Sequence, residues 1–304
     1  MTRPPAAPLD ITVTRFAPSP TGFLHLGHAH AALFAERAAR RAGGRFLLRI
    51  EDIDRGRCRP EYEAAIVEDL RWLGLEWDGP VVRQSDRFAL YRRALERLRD
   101  RGLLYPCFCS RKEIQREIAR AGQAPHGPAG QGVANPGPAG PLYPGTCRAL
   151  GEGARRARIA AGRGYALRLD VTAAAADAGP LTWVEHGRGL AGAAVPAEPE
   201  VHGDVVLARK DVPASYHLAV TLDDAEQGVT LVTRGEDLAP STHIHRLLQA
   251  LLDLPVPVWH HHGLVADAVG RRLAKRDDAQ SIRALRERGL GPAEVRALAG
   301  FLEE

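Results

Sequence analysis

An α/β fold, with a parallel sheet interrupted by a small α+β insertion, is what this 304-residue sequence predicts, and three observations predict it. Strand-like and helix-like segments alternate through the first hundred residues, the sign of parallel strands joined by helical crossovers. The alternation breaks off between Pro106 and about His202, where a Gly/Pro-rich tract from Ala121 to Gly145 accompanies short strand-like pieces. It resumes at Asp204 and runs to about His262.

Taken in order, ITVTRF (Ile11 to Phe16) reads as a strand, Leu26 to Ala42 as a helix, RFLLRI (Arg45 to Ile50) as a strand and Pro60 to Leu73 as a helix. VVRQS is a further short strand, and Arg87 to Arg101 carries Leu90, Ala94, Leu95 and Leu98 at helical spacing. Inside the interruption, YALRLDV and TWVEH are strand-like, and the Gly/Pro tract is expected to be an unpacked surface loop. Beyond it come the strand DVVLARKD, a helix around Tyr216 to Ala225, the strand VTLVTR and a helix opened by Ser241 or Thr242. VWHHHGLV, a basic loop GRRLAKRDD and two helical segments, Gln280 to Arg288 and Pro292 to Leu302, complete the pattern. The expected units are 11–105 with 203–262, an inserted 106–202, and a loop-and-helix tail 263–304.

Composition excludes more than it assigns. The apolar share is 45% and the charged share 26%, with no apolar run near the length of a membrane span and no secretory leader at MTRPPAAPLD, so a cytoplasmic protein is expected. A net charge of +4 permits a polyanionic partner, but an Arg-rich solvated surface explains it equally well. Four cysteines in a reducing compartment argue against a disulfide framework. Cys107 and Cys109 form a CxC, Cys147 lies four residues after Tyr143, and Cys58 stands alone.

The densest chemistry lies in RFAPSPTGFLHLGH, Arg15 to His28, which places a strand, a Pro/Gly turn and His25-Leu26-Gly27-His28 at a helix start. A helix N-terminus offers unpaired N–H groups and a favourable dipole to phosphate. Two histidines there can donate hydrogen bonds to charge developing on phosphorus. Gly27 leaves room for a flat base. By itself HxGH is also compatible with ordinary turn and helix residues.

With RIEDIDR (Arg49 to Arg55), YHLAVTLDD and TRGEDL (within Tyr216 to Leu238) and STHIH (Ser241 to His245), this segment resembles the glutamyl branch of the class I aminoacyl-tRNA synthetases. The likeness runs from about Val13 to Asp278, apart from the Gly/Pro tract. It implies a Rossmann-type catalytic domain, ATP with Mg²⁺, and His25, Gly27, His28 and Lys275 as ATP-site residues. Arg15, Phe16, Ala17, Pro18, Ser19, Glu51, Tyr216 and Arg234 match the family's glutamate-binding positions. The residue types fit, because guanidinium groups fork to carboxylates, Glu51 can take the ammonium and Tyr216 can donate its hydroxyl. The family's second signature loop falls on Arg272-Leu273-Ala274-Lys275-Arg276, which departs at three positions but keeps Lys275 where the family places the lysine that neutralises pyrophosphate.

Cys107, Cys109, Tyr143 and Cys147 match the pattern with which shortened members of this family hold one structural zinc. The residues alone also allow free buried thiols, or His126 in place of Tyr143. Similarity to these shortened members implies activation of L-glutamate without tRNA and its transfer to queuosine in the anticodon of tRNA(Asp), the alternatives being a truncated synthetase that charges a tRNA 3′ end or an inactive RNA-binding homologue. A monomer with no membrane association is expected, and the residues after Arg276 are too few to form an anticodon-binding domain. Two other patterns are discounted. Gly187 to Gly192 fits GxGxxG, but no helix follows before Pro196, so a hairpin turn is expected. His260 to His262 on a strand alternate faces and cannot all chelate one metal.

Overall fold

The structure, a computed structural model, describes residues 11–121, 136–138, 140–265 and 281–301. Lys275 with its loop Arg272 to Arg276, His126 and most of the Gly/Pro tract lie outside the described residues.

The first sheet is built from β1 (Val13–Phe16), β2 (Arg45–Ile50) and β3 (Val82–Arg83), with β1 parallel to β2 and β2 parallel to β3. Its crossover helices are α1 (Leu26–Arg41) and α2 (Pro60–Trp72), and α3 (Phe88–Asp100) follows. α2 starts where the sequence signals it, with Pro60 at the first helical position and Glu61 and Glu63 in the first turn facing the positive end of the dipole. α1 is amphipathic by spacing: Leu26, Ala29, Leu33 and Ala39 turn inward on Phe46, Leu48 and Ile50 of β2 and on Ile66 and Leu70 of α2. Each fully buried leucine in this set contributes about 1.5–3 kcal/mol.

The middle of the chain supplies β4 (Leu104–Cys107), α4 (Arg111–Ala121), the small hairpin of β5 (Pro136–Gly137) and β6 (Gly140–Pro141), α5 (Glu152–Ala160), β7 (Ala166–Leu169) and α6 (Val171–Ala178). Next come β8 (Thr182–Glu185), β9 (Ala193–Pro196) and β10 (Val206–Ala208). The last third holds α7 (Tyr216–Glu226), β11 (Leu231–Gly235), α8 (Thr242–Leu251), β12 (Val258–His262), α9 (Ile282–Glu287) and α10 (Pro292–Leu298).

Sheet membership cuts across the boundaries expected at 106 and 202. β11, β12 and β8 run parallel to one another and β9 closes the row as an antiparallel hairpin partner, so Thr182–Pro196 belongs with the last-third strands. β10, expected in the same row, instead pairs antiparallel with β7, which pairs with β4. The GxGxxG stretch is the turn of the β8–β9 hairpin, with Arg188, Gly189 and Gly192 at positive φ.

β1 and β11 lie side by side. Thr230 N–H donates to the Val13 carbonyl (3.0 Å) and Val13 N–H to Thr230 Oγ1 (2.8 Å). A shared apolar layer of Val13, Leu47, Trp183, Val232 and Trp259 spans the two rows of strands. α3, α7 and α8 bury a second core around Tyr91, Leu98, Leu218, Leu222, Ile244 and Leu248. No helix among the described residues is long and apolar enough to cross a membrane.

Candidate active site

At the start of α1, His25 is the N-cap in extended conformation, and its Nδ1 accepts from Gly27 N–H (3.1 Å). The His25 N–H in turn donates to His28 Nδ1 (3.2 Å), and the two rings lie tilted at 39° with centroids 3.8 Å apart. Accepting at Nδ1 places the proton of each ring, when neutral, on Nε2, which can then act as a donor. The first turn of α1 contains no acidic residue of its own to offset the positive end of the helix dipole. A side chain at Gly27 would meet the His25 ring at 3.0 Å, so the glycine also makes room for His25. Ser281 forms a β-bridge with His25, and Ile282 N–H donates to the Leu24 carbonyl (2.8 Å), fixing the chain that follows the signature loop to the HxGH turn.

The glutamate-site expectations converge where β1, β2, α7 and β11 meet. Arg15, on β1, gives Nε–H to Asp224 Oδ1 (2.9 Å) and an Nη1 hydrogen to the Thr233 carbonyl (3.1 Å). Arg49, fully buried on β2, donates to the same Asp224 oxygen (2.8 Å) and lies 3.4 Å from Glu51 Oε1. Two guanidinium groups hold Asp224 ionised and below its usual value despite its burial. Glu51 behaves oppositely: burial lifts its carboxyl to about 6, against the pull of Arg49 and Arg15. Glu51 N–H donates to the Pro18 carbonyl (2.9 Å), tying the Ala17-Pro18-Ser19 turn to the end of β2. Phe16 points into the core among Leu24, Leu48 and Ile50, so only its main chain is available to a ligand.

Arg234 on β11 is the second cationic group, 5% exposed. Its Nε donates to His261 Nε2 (3.1 Å) and Nη2 to Thr242 Oγ1 (2.7 Å), while Nη1 lies 3.2 Å from both Tyr216 Oη and His245 Nδ1. Every one of these partners is formally neutral or neutral by environment. Burial holds His245 well below its usual value and His217, bonded to it at 3.2 Å, at about 4. Among the described residues no carboxylate pairs directly with Arg234. The alternation expected of His260 to His262 is observed: His261 faces Arg234 and Glu185, whereas the rings of His260 and His262 lie tilted against Phe34.

A cleft of about 960 Å³ extends from Ser19, Glu51 and Tyr216 to Cys107 and Cys109, passing Asp54, Arg209 and Lys210. At its far end the sulfurs of Cys107, Cys109 and Cys147 lie within 4.8 Å of one another. Tyr143 Oη is 3.5 Å from Cys107 Sγ and 3.8 Å from Cys109 Sγ, and it accepts from Cys147 N–H (2.8 Å). A tetrahedral zinc with Zn–S near 2.3 Å needs ligand atoms about 3.8 Å apart, so the three sulfurs could hold one ion, with Tyr143 Oη beside two of them. Cys58 is a separate, half-buried thiol.

The family model for class I tRNA synthetases (E and Q), catalytic domain, matches residues 12–300. The chain belongs to this family. It is 54% identical over 292 residues to the glutamyl-Q tRNA(Asp) synthetase of Rhodobacter capsulatus, covering 95% of this chain and 100% of that protein. It is 42% identical to glutamate–tRNA ligase 2 of Methylobacterium sp. (strain 4-46), with 94% of this chain aligned to 59% of that one. The solved glutamate-tRNA synthetase of Elizabethkingia anophelis superposes with a TM-score of 0.75 at 28% identity, over 95% of this chain and 61% of that one.

Sequence reasoning missed several residues that organise this class I site: Arg49, Asp224, Thr242, His245, Glu185 and His261. Arg49, Asp224, Thr242 and His245 sit inside the segments that carried the resemblance, and Arg49 shares a strand face with Glu51 at period two. Glu185 and His261 stood in stretches read as a strand of the insertion and as a decoy, and only the pairing of β8 with β12 brings them together.

Proposed function

We propose that this chain is a ligase that activates L-glutamate with ATP in the absence of tRNA and transfers it to the queuosine base in the anticodon of tRNA(Asp). The observation that carries the activation half is Arg234, a buried guanidinium with no carboxylate partner among the described residues, bonded to Tyr216, whose hydroxyl also feels the charges of Arg15 and Glu51. Burying a charge without a counter-ion is costly, and a ligand carboxylate relieves it. Glutamate supplies two carboxylates for Arg234 and Arg15 and an ammonium for Glu51.

In the reaction, an oxygen of the bound glutamate's α-carboxylate attacks the α-phosphorus of ATP and the bond to pyrophosphate breaks. Mg²⁺ accompanies ATP as part of the substrate. His25 and His28 donate from Nε2 to the phosphate, Gly27 lies in the same turn, and Lys275 neutralises the departing pyrophosphate. A hydroxyl of the acceptor then attacks the anhydride carbonyl, AMP leaves with the bonding electrons, and the hydroxyl proton is lost. Positioning and charge stabilisation supply the catalysis, with no protein nucleophile.

Zinc, when bound by Cys107, Cys109, Cys147 and Tyr143, supplies a closed structural site that fixes one wall of the cleft. We read β4, β7, β10 and this site as an inserted unit. β1 to β3, β8, β9, β11 and β12 form the catalytic one, in place of clean cuts at 106 and 202.

The similarity spanning the whole Rhodobacter protein favours the queuosine acceptor over a terminal adenosine. The test uses labelled glutamate, ATP and tRNA whose terminal diol has been blocked. Label should enter queuosine-containing tRNA(Asp) and not the same tRNA with guanosine at that position. Labelling only of tRNA(Glu) with a free terminal adenosine would overturn the acceptor, and absence of glutamate-dependent pyrophosphate exchange would overturn the activation.

A further inference from the structure

The residue that holds Arg234 is itself held. His261 Nδ1 meets Glu185 Oε2 at 2.5 Å, with the histidine side chain fully buried and the carboxylate 2% exposed. The other oxygen, Glu185 Oε1, accepts from two backbone donors, His261 N–H (3.0 Å) and Gly187 N–H (2.7 Å). Both carboxylate oxygens thus accept, and His261 must carry its proton on Nδ1 to donate to Oε2. Nε2 is then a lone pair, and it faces Arg234 Nε–H at 3.1 Å and the Thr242 hydroxyl at 3.3 Å.

We infer that Glu185 and His261 are positioning residues for substrate binding: Glu185 fixes the tautomer of His261, and that tautomer fixes the plane of the Arg234 guanidinium. The inference rests on the reading of Arg234 as a glutamate-carboxylate ligand. Glu185 is too deeply buried to be a surface ion-pair partner, and it makes no direct contact with Arg234 in the structure. Burial would raise the carboxyl of Glu185, but the bonds from His261 and Gly187 bring it down to about 2. Burial meanwhile keeps His261 below its usual value, so the pair is a carboxylate and a neutral ring at working pH. A close approach of Gly187 to the β12 backbone makes the arrangement possible, since a Cβ there would lie 2.2 Å from the His261 carbonyl oxygen.

The geometry makes a substitution of almost no change in shape decisive. In Glu185→Gln the amide must place its oxygen where Oε1 was, because two backbone N–H groups point there. The amide NH₂ then replaces Oε2 and donates to His261 Nδ1, forcing the ring proton to Nε2. An Nε2–H now confronts Arg234 Nε–H, donor against donor, and the guanidinium rotates out of its plane.

The experiment is glutamate-dependent pyrophosphate exchange by the intact protein and by E185Q, with thermal midpoints of both and the ¹⁵N chemical shifts of the His261 ring. We expect the glutamate KM to rise roughly 10- to 100-fold, the effect of one misaligned charge-assisted hydrogen bond, while the ATP KM stays within about two-fold. The wild-type ¹⁵N spectrum should show Nδ1 protonated and Nε2 bare. An unchanged glutamate KM in a folded E185Q, or a loss shared equally between glutamate and ATP, would overturn the inference. So would a wild-type ring protonated on Nε2, a readout that holds even if the variant fails to fold. Wild-type protein without glutamate-dependent exchange would instead count against the proposed function.

Discussion

Glu51 offers a pH experiment whose sign and size follow from its surroundings. Burial raises its carboxyl from 4.5 to about 6, so between those values the folded protein keeps a proton that the unfolded chain has released. Ionised Glu51 therefore opposes folding fully above pH 6, by about 2 kcal/mol, and the penalty fades as pH falls through that window. Ligand binding runs the other way, because an ammonium group needs the carboxylate. At pH 5 only about one molecule in ten has Glu51 ionised, and the Kd for glutamate should rise about ten-fold between pH 7 and pH 5. Glu185 at about 2 and His217 at about 4 titrate below this range. Glu51→Gln should weaken glutamate binding about 10- to 100-fold at pH 7.5, flatten its pH dependence and stabilise the fold by up to about 2 kcal/mol. Calorimetric titration with glutamate across pH 5–7.5, together with urea unfolding at pH 7.5, measures all three. An E51Q protein that keeps the wild-type pH slope would refute the assignment of the ammonium to Glu51.

Elemental analysis should find one zinc per chain, and Cys147→Ala should lose it and lower the thermal midpoint; an equal zinc content in that variant would remove Cys147 from the ligand set. Gly187→Ala should destabilise the protein by about 2–3 kcal/mol, since its Cβ would be forced into the β12 backbone, and an unchanged urea midpoint would contradict the close approach. Lys275→Ala should slow pyrophosphate exchange by roughly 10² to 10³, the effect of removing one transition-state donor. Unchanged exchange would move that role to Arg272 or Arg276.

What was legible in the sequence was what is local. α1, β2, α2 and α3 lie within a residue or two of the segments that periodicity, Pro60 and the HxGH turn indicated, because helix caps and strand alternation are written in consecutive residues. Arg15, Glu51, Tyr216 and Arg234 were expected through the resemblance; Arg15 and Glu51 join through Asp224 and Arg49, and Tyr216 joins Arg234 in a second set of bonds. The pairs that hold them were not, since Arg49 and Asp224 are 175 residues apart, Arg15 and Asp224 209, and Glu185 and His261 76. No window along the chain contains both members of such a pair. β8 and β10 went to the wrong neighbours for the same reason: a four-residue strand states that it is a strand, and only long-range pairing says of which sheet.

The adjacency of β1 and β11 has a consequence for synthesis. Val13 waits for Thr230, 217 residues later, before its strand gains a neighbour on that side. At elongation rates of roughly 5–20 residues per second the interval is about 10–40 s. Throughout it the emerging N-terminal β1–β2 pair offers an open edge with unpaired main-chain groups, a template for any passing strand. Yield in the cell should therefore depend on whatever shields that edge on the ribosome, and codon choice between β1 and β11 sets how long the shielding must last.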